Sequence, residues 1–464
     1  MNNHAKRASI ILGVFMAVVL VGSTFLQLLN PNATTTQNVP PTQRIDPTFP
    51  PPLDTAGITY DQLYLHPSGI FAVAQPTGFT ASNPSSQPNI AQINMVNNEA
   101  LSVIDAFVQD PGSPVSADDL DGYFTEAILN QSWANFQNWS ETTRRRDGEN
   151  LVIDFTVRFS NQDFVARQIA RTDGEWIYVT RVLAPGNATN FLITVLENVS
   201  SSMQPFKQFA GQPFNWNIYL DPTTNLAIRH PQQWIVTDSA PGRPASIAGS
   251  NGENLRVETA NGNLLDDQAA ENWVLAARPN ATILSVAQDV PETYTVAYAY
   301  TTADGDPLSG FAVLINGENN QLYAANLRFV GENIDLNTFA PASAAPEAEA
   351  TPEAETTPEA EATPEAVDPD SAYYESLTVI MSSFGLMPQL NLSSDSLPPT
   401  ATPIPTQAIA PTAEATAEST VEVTAEPEAE ATTAAEAGAP TEEVTEESPA
   451  ETTPEPTEEA TPES

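Results

Sequence analysis

The chain has no cysteine in its 464 residues. That excludes disulfides, Cys-ligated zinc, iron–sulfur clusters and thiol catalysis. Lysine is nearly absent as well, with only Lys6 and Lys207. Phosphate backbones are held by clustered Lys and Arg, so no nucleic acid is expected as a partner. From residue 340 onward there is no basic residue at all, against 27 acidic ones, so the formal charge of −43 splits into about −27 there and about −16 before it. Residues 395–464 lack Phe, Trp and Tyr and carry 17 acids and 11 prolines. Such a segment cannot bury enough apolar surface to offset its ordering entropy, and like-charge repulsion extends it. Histidine is scarce too: beyond His4 there are only His66 and His230.

The N-terminus holds the one long apolar run. Lys6 and Arg7 precede residues 8–29, which carry no charge. About 20 apolar residues span a bilayer, and the preceding positive charges place the N-terminus in the cytoplasm. The expectation is an uncleaved single-pass anchor in the cell membrane over residues 1–30, with the bulk of the chain extracytoplasmic. The alternative is a signal peptide cut after the small residues near Ser23. Residues 31–52 are a Pro/Thr/Asn-rich linker. Three T-P-E-A tetrads (at Thr351, Thr357 and Thr363) mark 340–370 as a second low-complexity stretch, and the same style continues in the tail.

Between these segments the chain repeats itself. At an offset of 155, Tyr64, Leu65, Pro67, Ala72 and Pro76 match Tyr219, Leu220, Pro222, Ala227 and Pro231, and Phe79 stands opposite Trp234. A duplicated unit of about 150 residues has the size of a domain, which gives domain 1 over 53–210 and domain 2 over 214–394. In the first copy, alternating or continuous apolar runs predict strands over 70–75, 101–108, 151–159, 164–171 and 176–183, with turns at Asp147-Gly148 and Asp173-Gly174. A helix is predicted over 116–130, opened by a capping-box pair of Ser116 and Asp119. A closing helix over 187–206 carries Phe191, Leu192, Val195, Leu196 and Val199 on one stripe. The second copy predicts strands over 226–230, 245–248, 255–259, 283–290, 294–302, 311–315 and 322–329. Its helix over 266–277 turns Ala269, Trp273 and Ala276 inward. Its closing helix is displaced to 371–387, where Tyr373, Tyr374, Leu377, Ile380, Met381 and Phe384 repeat at helical spacing. Residues 340–370 are therefore read as an insertion within domain 2, which the slow growth of loop-closure cost with length tolerates.

Hairpin-linked strands are antiparallel, so the fold class is α+β: two tandem antiparallel sheets with packed helices. The openings Tyr64…Ala72…Pro76-Thr77-Gly78-Phe79 and Tyr219…Ala227…Pro231-Gln232-Gln233-Trp234, each followed by a closing aromatic/aliphatic helix, resemble the PsbP-like family of α/β/α sandwiches. The resemblance implies binding or assembly rather than catalysis, and it carries over no catalytic residue. The alternative fold is a cystatin-like or NTF2-like cone.

Site candidates are few. A metal site or a Ser-His-Asp triad would have to use His66 or His230, yet they fall at different positions of the two copies, and no H-E-x-x-H, G-x-S-x-G or Walker sequence exists. Acidic clusters at Asp118-Asp119-Asp121, Asp266-Asp267 and Asp304-Gly305-Asp306 could bind calcium or act as a glycosidase pair, but two of them open predicted helices, where acids favour the dipole. The chain is therefore read as a non-enzyme without metal or cofactor. Two surfaces remain for a ligand or partner. Arg144, Arg145 and Arg146 form the one basic patch, suited to the acidic tail, an anionic lipid or a wall polymer. Tyr294, Tyr298 and Tyr300 alternate along one strand and could line a groove, as could Trp133, Phe136 and Trp139. The functional expectation is a non-catalytic, membrane-anchored binding or scaffolding protein of the envelope, whose partner is an envelope protein, a polymer or a small ligand. An extracellular hydrolase and a solute- or lipid-binding sensor pair are the alternatives.

Overall fold

The computed structural model describes residues 49–84, 86–339 and 369–396. The expected membrane segment at 8–29, the 340–368 part of the insertion and the tail beyond 396 lie outside these residues. Among the described residues no helix is long and apolar enough to cross a membrane.

The first half runs β1 (Leu63–Leu65), β2 (Phe71–Ala74), β3 (Thr80–Ser82), β4 (Ile90–Asn97), β5 (Ser102–Gln109), α1 (Leu120–Tyr123), α2 (Glu126–Ser132), β6 (Asn138–Asp147), β7 (Asn150–Phe159), β8 (Gln162–Thr172), β9 (Ile177–Pro185), α3 (Thr189–Ser202) and β10 (Gln204–Pro205). The second half repeats this order as β11 (Asn217–Asp221), β12 (Leu226–His230), β13 (Ile235–Asp238), β14 (Ala245–Ala248), β15 (Asn254–Asn261), α4 (Asp267–Ala277), β16 (Thr282–Val290), β17 (Thr293–Thr301), β18 (Pro307–Asn316), β19 (Gln321–Val330), α5 (Pro369–Ser382) and β20 (Gly385–Leu386).

The duplication expected from the matched openings is complete at the level of topology. Each half has a three-stranded sheet, β1-β2-β10 or β11-β12-β20, and a seven-stranded antiparallel sheet, β3-β4-β5-β9-β8-β7-β6 or β13-β14-β15-β19-β18-β17-β16. Each large sheet is covered on both faces. In the first half α3 buries Phe191, Leu192, Val195, Leu196 and Val199 on one face, while α1 and α2 cover the other with Leu120, Phe124 and Leu129. In the second half α5 buries Leu377, Ile380 and Met381, and α4 covers the opposite face with Ala270 and Val274. Strands sandwiched in this way are apolar on both sides, which is why β9 is buried along its whole length.

Several expectations are corrected. The helix predicted over 116–130 is broken at Phe124 (ψ 64°) into two short pieces, although the Ser116–Asp119 box forms, with the Ser116 hydroxyl donating to Asp119 at 2.6 Å. α4 turns Ala270 and Val274 inward, not Ala276, which is exposed. Strands β4 and β6 are not among those that the apolar periodicity predicts. The displaced closing helix is where it is expected, and Phe339 and Tyr374 meet across the insertion with ring centroids 5.1 Å apart.

The two halves form one compact unit. The apolar cluster that α3 covers continues through Phe209 and Phe214 of the connector into Ala227 and Met387 of the second half. The chain then crosses back: Leu392 bridges Leu63 in parallel, Leu63 N–H donates to Asn391 O (2.8 Å), and Ser393 N–H donates to Leu63 O (2.8 Å). Residues 391–393 thus edge the small sheet of the first half, so the segment expected to end domain 2 belongs structurally to domain 1.

Candidate functional site: a cleft between the two halves

The duplication sets the two small sheets side by side, and their junction is built around one side chain. Arg229 on β12 is fully buried. Its guanidinium donates to Ser68 O (2.7 Å), Gln212 Oε1 (3.1 Å) and Pro213 O, all uncharged acceptors. Ser68 lies in the turn between β1 and β2, so this fork pins the second half to the first. Burial pulls the Arg229 guanidinium down to about 9, since leaving water disfavours the charged form. The same turn approaches β11: Ile218 N–H donates to Pro67 O (2.8 Å). Gly69, at φ +74°, faces the Ile218 side chain so closely that a Cβ would come within 2.4 Å of Cδ1. Only glycine fits both demands.

Beside this junction opens a cleft of about 490 Å³. Its walls are Tyr64, Leu65 and His66 from the first half, Ile218, Leu220, His230, Trp234, Ile235 and Val236 from the second, and Leu392, Asp395 and Ser396 from the returning segment. The lining is mostly apolar with a few convergent polar groups, which is the make-up of a ligand site. Asn83 donates to the Tyr64 hydroxyl at 2.5 Å. Gln75 donates to Asp395 at 2.9 Å, and the Ser396 hydroxyl receives Leu65 N–H at 2.7 Å. Ile235, at the start of the edge strand β13, is 67% exposed.

The structure brings His66 and His230 into this one cleft, although they occupy different positions in the two copies. His66 lies buried, with Nδ1 2.7 Å from the Ser68 hydroxyl and its ring stacked on Phe71 at 5.7 Å. Burial first, and then the Arg229 charge, depress it to about 3. A histidine so depressed is a poor proton acceptor near neutral pH, and Ser68 is itself buried, so the pair is a structural turn rather than a nucleophile and its base. Burial depresses His230 as well, while Pro231 O, 3.0 Å from Nδ1, acts in the opposite sense.

The other candidates are absorbed by the fold. Arg144 reaches Glu141 (2.7 Å), Asp121 (3.0 Å) and Phe124 O (3.0 Å), Arg145 reaches Asp154 (2.9 Å), and Arg146 reaches Asp118 O (3.0 Å). Arg144 and Arg146 thereby tie the edge strand β6 to the α1 layer, while the Arg145 and Arg146 side chains stay exposed. Tyr294 and Tyr298 are buried beneath α4. The Tyr298 ring lies across Gly310, where a Cβ would come within 2.1 Å, and its hydroxyl donates to Asn326 at 2.6 Å. Tyr300 stacks on Tyr298 with centroids 6.1 Å apart and receives Arg278 on its face. Tyr294 and Tyr298 are thus core residues, and Tyr300 is half-buried against them. Trp133 and Phe136 pack with Phe155 and Phe159 under α2. Asp266 caps α4 through Ala269 N–H, Asp119 completes the box at Ser116, and Asp304 and Asp306 sit in a turn closed by Thr302. Among the described residues no three His, Asp or Glu are grouped to hold a metal ion.

A second polar feature lies inside the first half. Arg181 donates to Gln168 Oε1 (2.7 Å) and stands 3.9 Å from Asp105, which also receives Gln92 at 2.5 Å. Burial raises the Asp105 carboxyl against the pull of Arg181 and Gln92. Gln92 Oε1 and Gln168 Nε2 lack partners. The two voids beside Arg181 are each about 20 Å³, room for about one water molecule apiece.

No family model and no curated protein matches the chain. Among solved structures, the chain is similar to a solution structure of cyanobacterial PsbP (CyanoP) from Synechocystis sp. PCC 6803, at 11% identity over 33% of this chain and 97% of that one, with a TM-score of 0.24. It is also similar to the apo immunity protein TplEi of T6SS from Pseudomonas aeruginosa, at 11% identity over 71% and 98% of the two chains, TM-score 0.19. A third likeness is to the Tle4–Tli4 complex, at 10% identity over 74% and 100%, TM-score 0.18. A PsbP structure is thus among those with which the chain shares a distant likeness. Likenesses this distant carry nothing about function, which rests on the chain's own residues.

Proposed function

We propose that this chain is a non-catalytic binding protein, anchored in the cell membrane by residues 8–29, whose extracytoplasmic cleft takes an uncharged, largely apolar ligand. The observation that carries the reading is the cleft itself: about 490 Å³, walled by both halves beside the buried Arg229 fork. Its volume falls in the range of small-molecule and peptide sites. No lysine or arginine is among its lining residues, so a strongly anionic ligand would find no counter-charge. The hydrolase alternative finds no support in the geometry around His66 and Ser68. Alkaline extraction of membranes tests the anchor: the protein should stay with the lipid, and full release would refute it. Native mass spectrometry of the detergent-extracted protein tests the site. Retention of a bound species that Trp234→Ala or Ile235→Asp abolishes is expected. A protein that carries and accepts nothing, or a bound species indifferent to both substitutions, would overturn the reading.

A further inference from the structure

The polypeptide leaves the described structure from inside the cleft. Residues 391–393 run along β1, Asp395 is held by Gln75, and Ser396 is held by Leu65; all the while Leu392, Asp395 and Ser396 form cleft wall. Leu397 is the residue that follows Ser396 in the sequence. The next residues are unlike the rest of the tail. From Leu397 to Ala413 there is no charge, whereas acidic residues recur from Glu414 to the end. Residues 397–405 read Leu-Pro-Pro-Thr-Ala-Thr-Pro-Ile-Pro. Resting on the binding function proposed above, we infer that this segment is the resting occupant of the cleft, so that the protein carries its own competitor and an external ligand binds by displacing it.

Three properties of cleft and segment agree. Four prolines in nine residues remove the N–H donors needed to pair with the edge of β13, and they favour a polyproline II helix. That helix docks in grooves with aromatic lining, and the largely buried Tyr64 and Trp234 are among the cleft's lining residues. Nine residues in that conformation reach about 28 Å, ample to cross the cleft. Leu397 and Ile404 offer apolar side chains to a site whose rim leaves Ile235 67% exposed. The absence of basic lining residues favours this uncharged stretch over the acidic sequence beyond it. The tether adds an effective concentration of order mM, so even a weak contact keeps the segment seated.

The test uses the full chain and the double variant Leu397→Asp/Ile404→Asp, probed with a fluorescent synthetic nonapeptide of the sequence of residues 397–405. The peptide should bind the double variant at least tenfold more tightly than the unmodified protein, and Ile235→Asp added to the double variant should abolish that binding. A photo-crosslinking residue at position 404 should join, within one chain, to peptides containing Tyr64 or Trp234. Equal peptide binding to both proteins, or crosslinks formed only between chains, would overturn the inference, the second result making another copy the occupant. If the peptide fails while a co-purified ligand still depends on Trp234 and Ile235, the tail inference falls alone. If neither peptide nor any other ligand occupies the cleft of the folded double variant, the proposed function falls with it.

Discussion

The displaced closing helix α5 makes a quantitative demand on domain 2. Ile380 is fully buried beside Leu377 and Met381 in the cluster that also holds Phe329, Leu336 and Phe384. Ile380→Ala removes buried methylene and methyl groups and leaves a cavity, at a cost of about 2–5 kcal/mol. The whole stability of a domain is about 5–15 kcal/mol, so this single change removes a large share of it. The insertion between Phe339 and α5 should behave oppositely. Replacing the 29 residues of 340–368 by eight Gly/Ser residues lowers the closure entropy by (3/2)RT ln(29/8), about 1 kcal/mol in favour of the folded state. Urea titration followed by circular dichroism and tryptophan fluorescence should show a midpoint about 1–2 M lower for Ile380→Ala. The excision should leave the midpoint unchanged or slightly raised. A silent Ile380→Ala, or an excision that unfolds domain 2, would refute the placement of α5 as the closing helix of the second copy.

Three further outcomes are expected. Arg229→Met strands the buried acceptors Ser68 O, Gln212 Oε1 and Pro213 O, each unpaired group costing roughly 1–3 kcal/mol; limited proteolysis should then cut the connector near residues 207–216, and unaltered resistance would count against the latch. The depression of His66 to about 3 means that the unfolded chain, titrating near the usual 6.5, binds a proton that the folded chain refuses. Stability from His66 is therefore full above about pH 6.5 and is lost as pH falls toward 3, at up to about 1.4 kcal/mol per pH unit. His230 acts in the same sense, and the raised Asp105 carboxyl in the opposite one, its contribution being present at low pH and lost as pH rises through its folded value. Denaturation series from pH 4 to 7 on the protein and on His66→Asn should differ in slope, and parallel lines would refute the assignment. Arg144→Ala removes the bonds from β6 to Asp121 and Phe124 O, each worth about 1–3 kcal/mol before solvent screening; hydrogen exchange in α1 and α2 should accelerate while β7 to β9 stay protected.

The sequence alone settled the duplication, the fold class and the position of α5. The reason is that apolar periodicity and turn residues are local quantities: Phe191, Leu192, Val195, Leu196 and Val199 declare a helical face wherever the partner surface lies. It did not disclose β4, although Ala91, Ile93 and Met95 alternate with Gln92 and Asn94, because that alternation is only five residues long and its polar positions are buried like the apolar ones. It could not disclose β6 either, since an edge strand is kept polar and charged to avoid further pairing. The basic triplet Arg144–Arg146 and the stripe Tyr294, Tyr298 and Tyr300 looked functional in one dimension. Only the tertiary structure decided that the first is tied to acceptors from residues 118–124, to Glu141 and to Asp154 while Arg145 and Arg146 stay exposed, and that Tyr294 and Tyr298 of the second are buried beneath α4. The cleft was likewise invisible. Its walls come from β1, from β11 to β13 and from residues 392–396, segments up to some 330 positions apart, and the buried Arg229 that unites them is a lone charge in an apolar strand. Such a site exists only where the two copies dock, because no local pattern encodes which loop carbonyls a guanidinium will find.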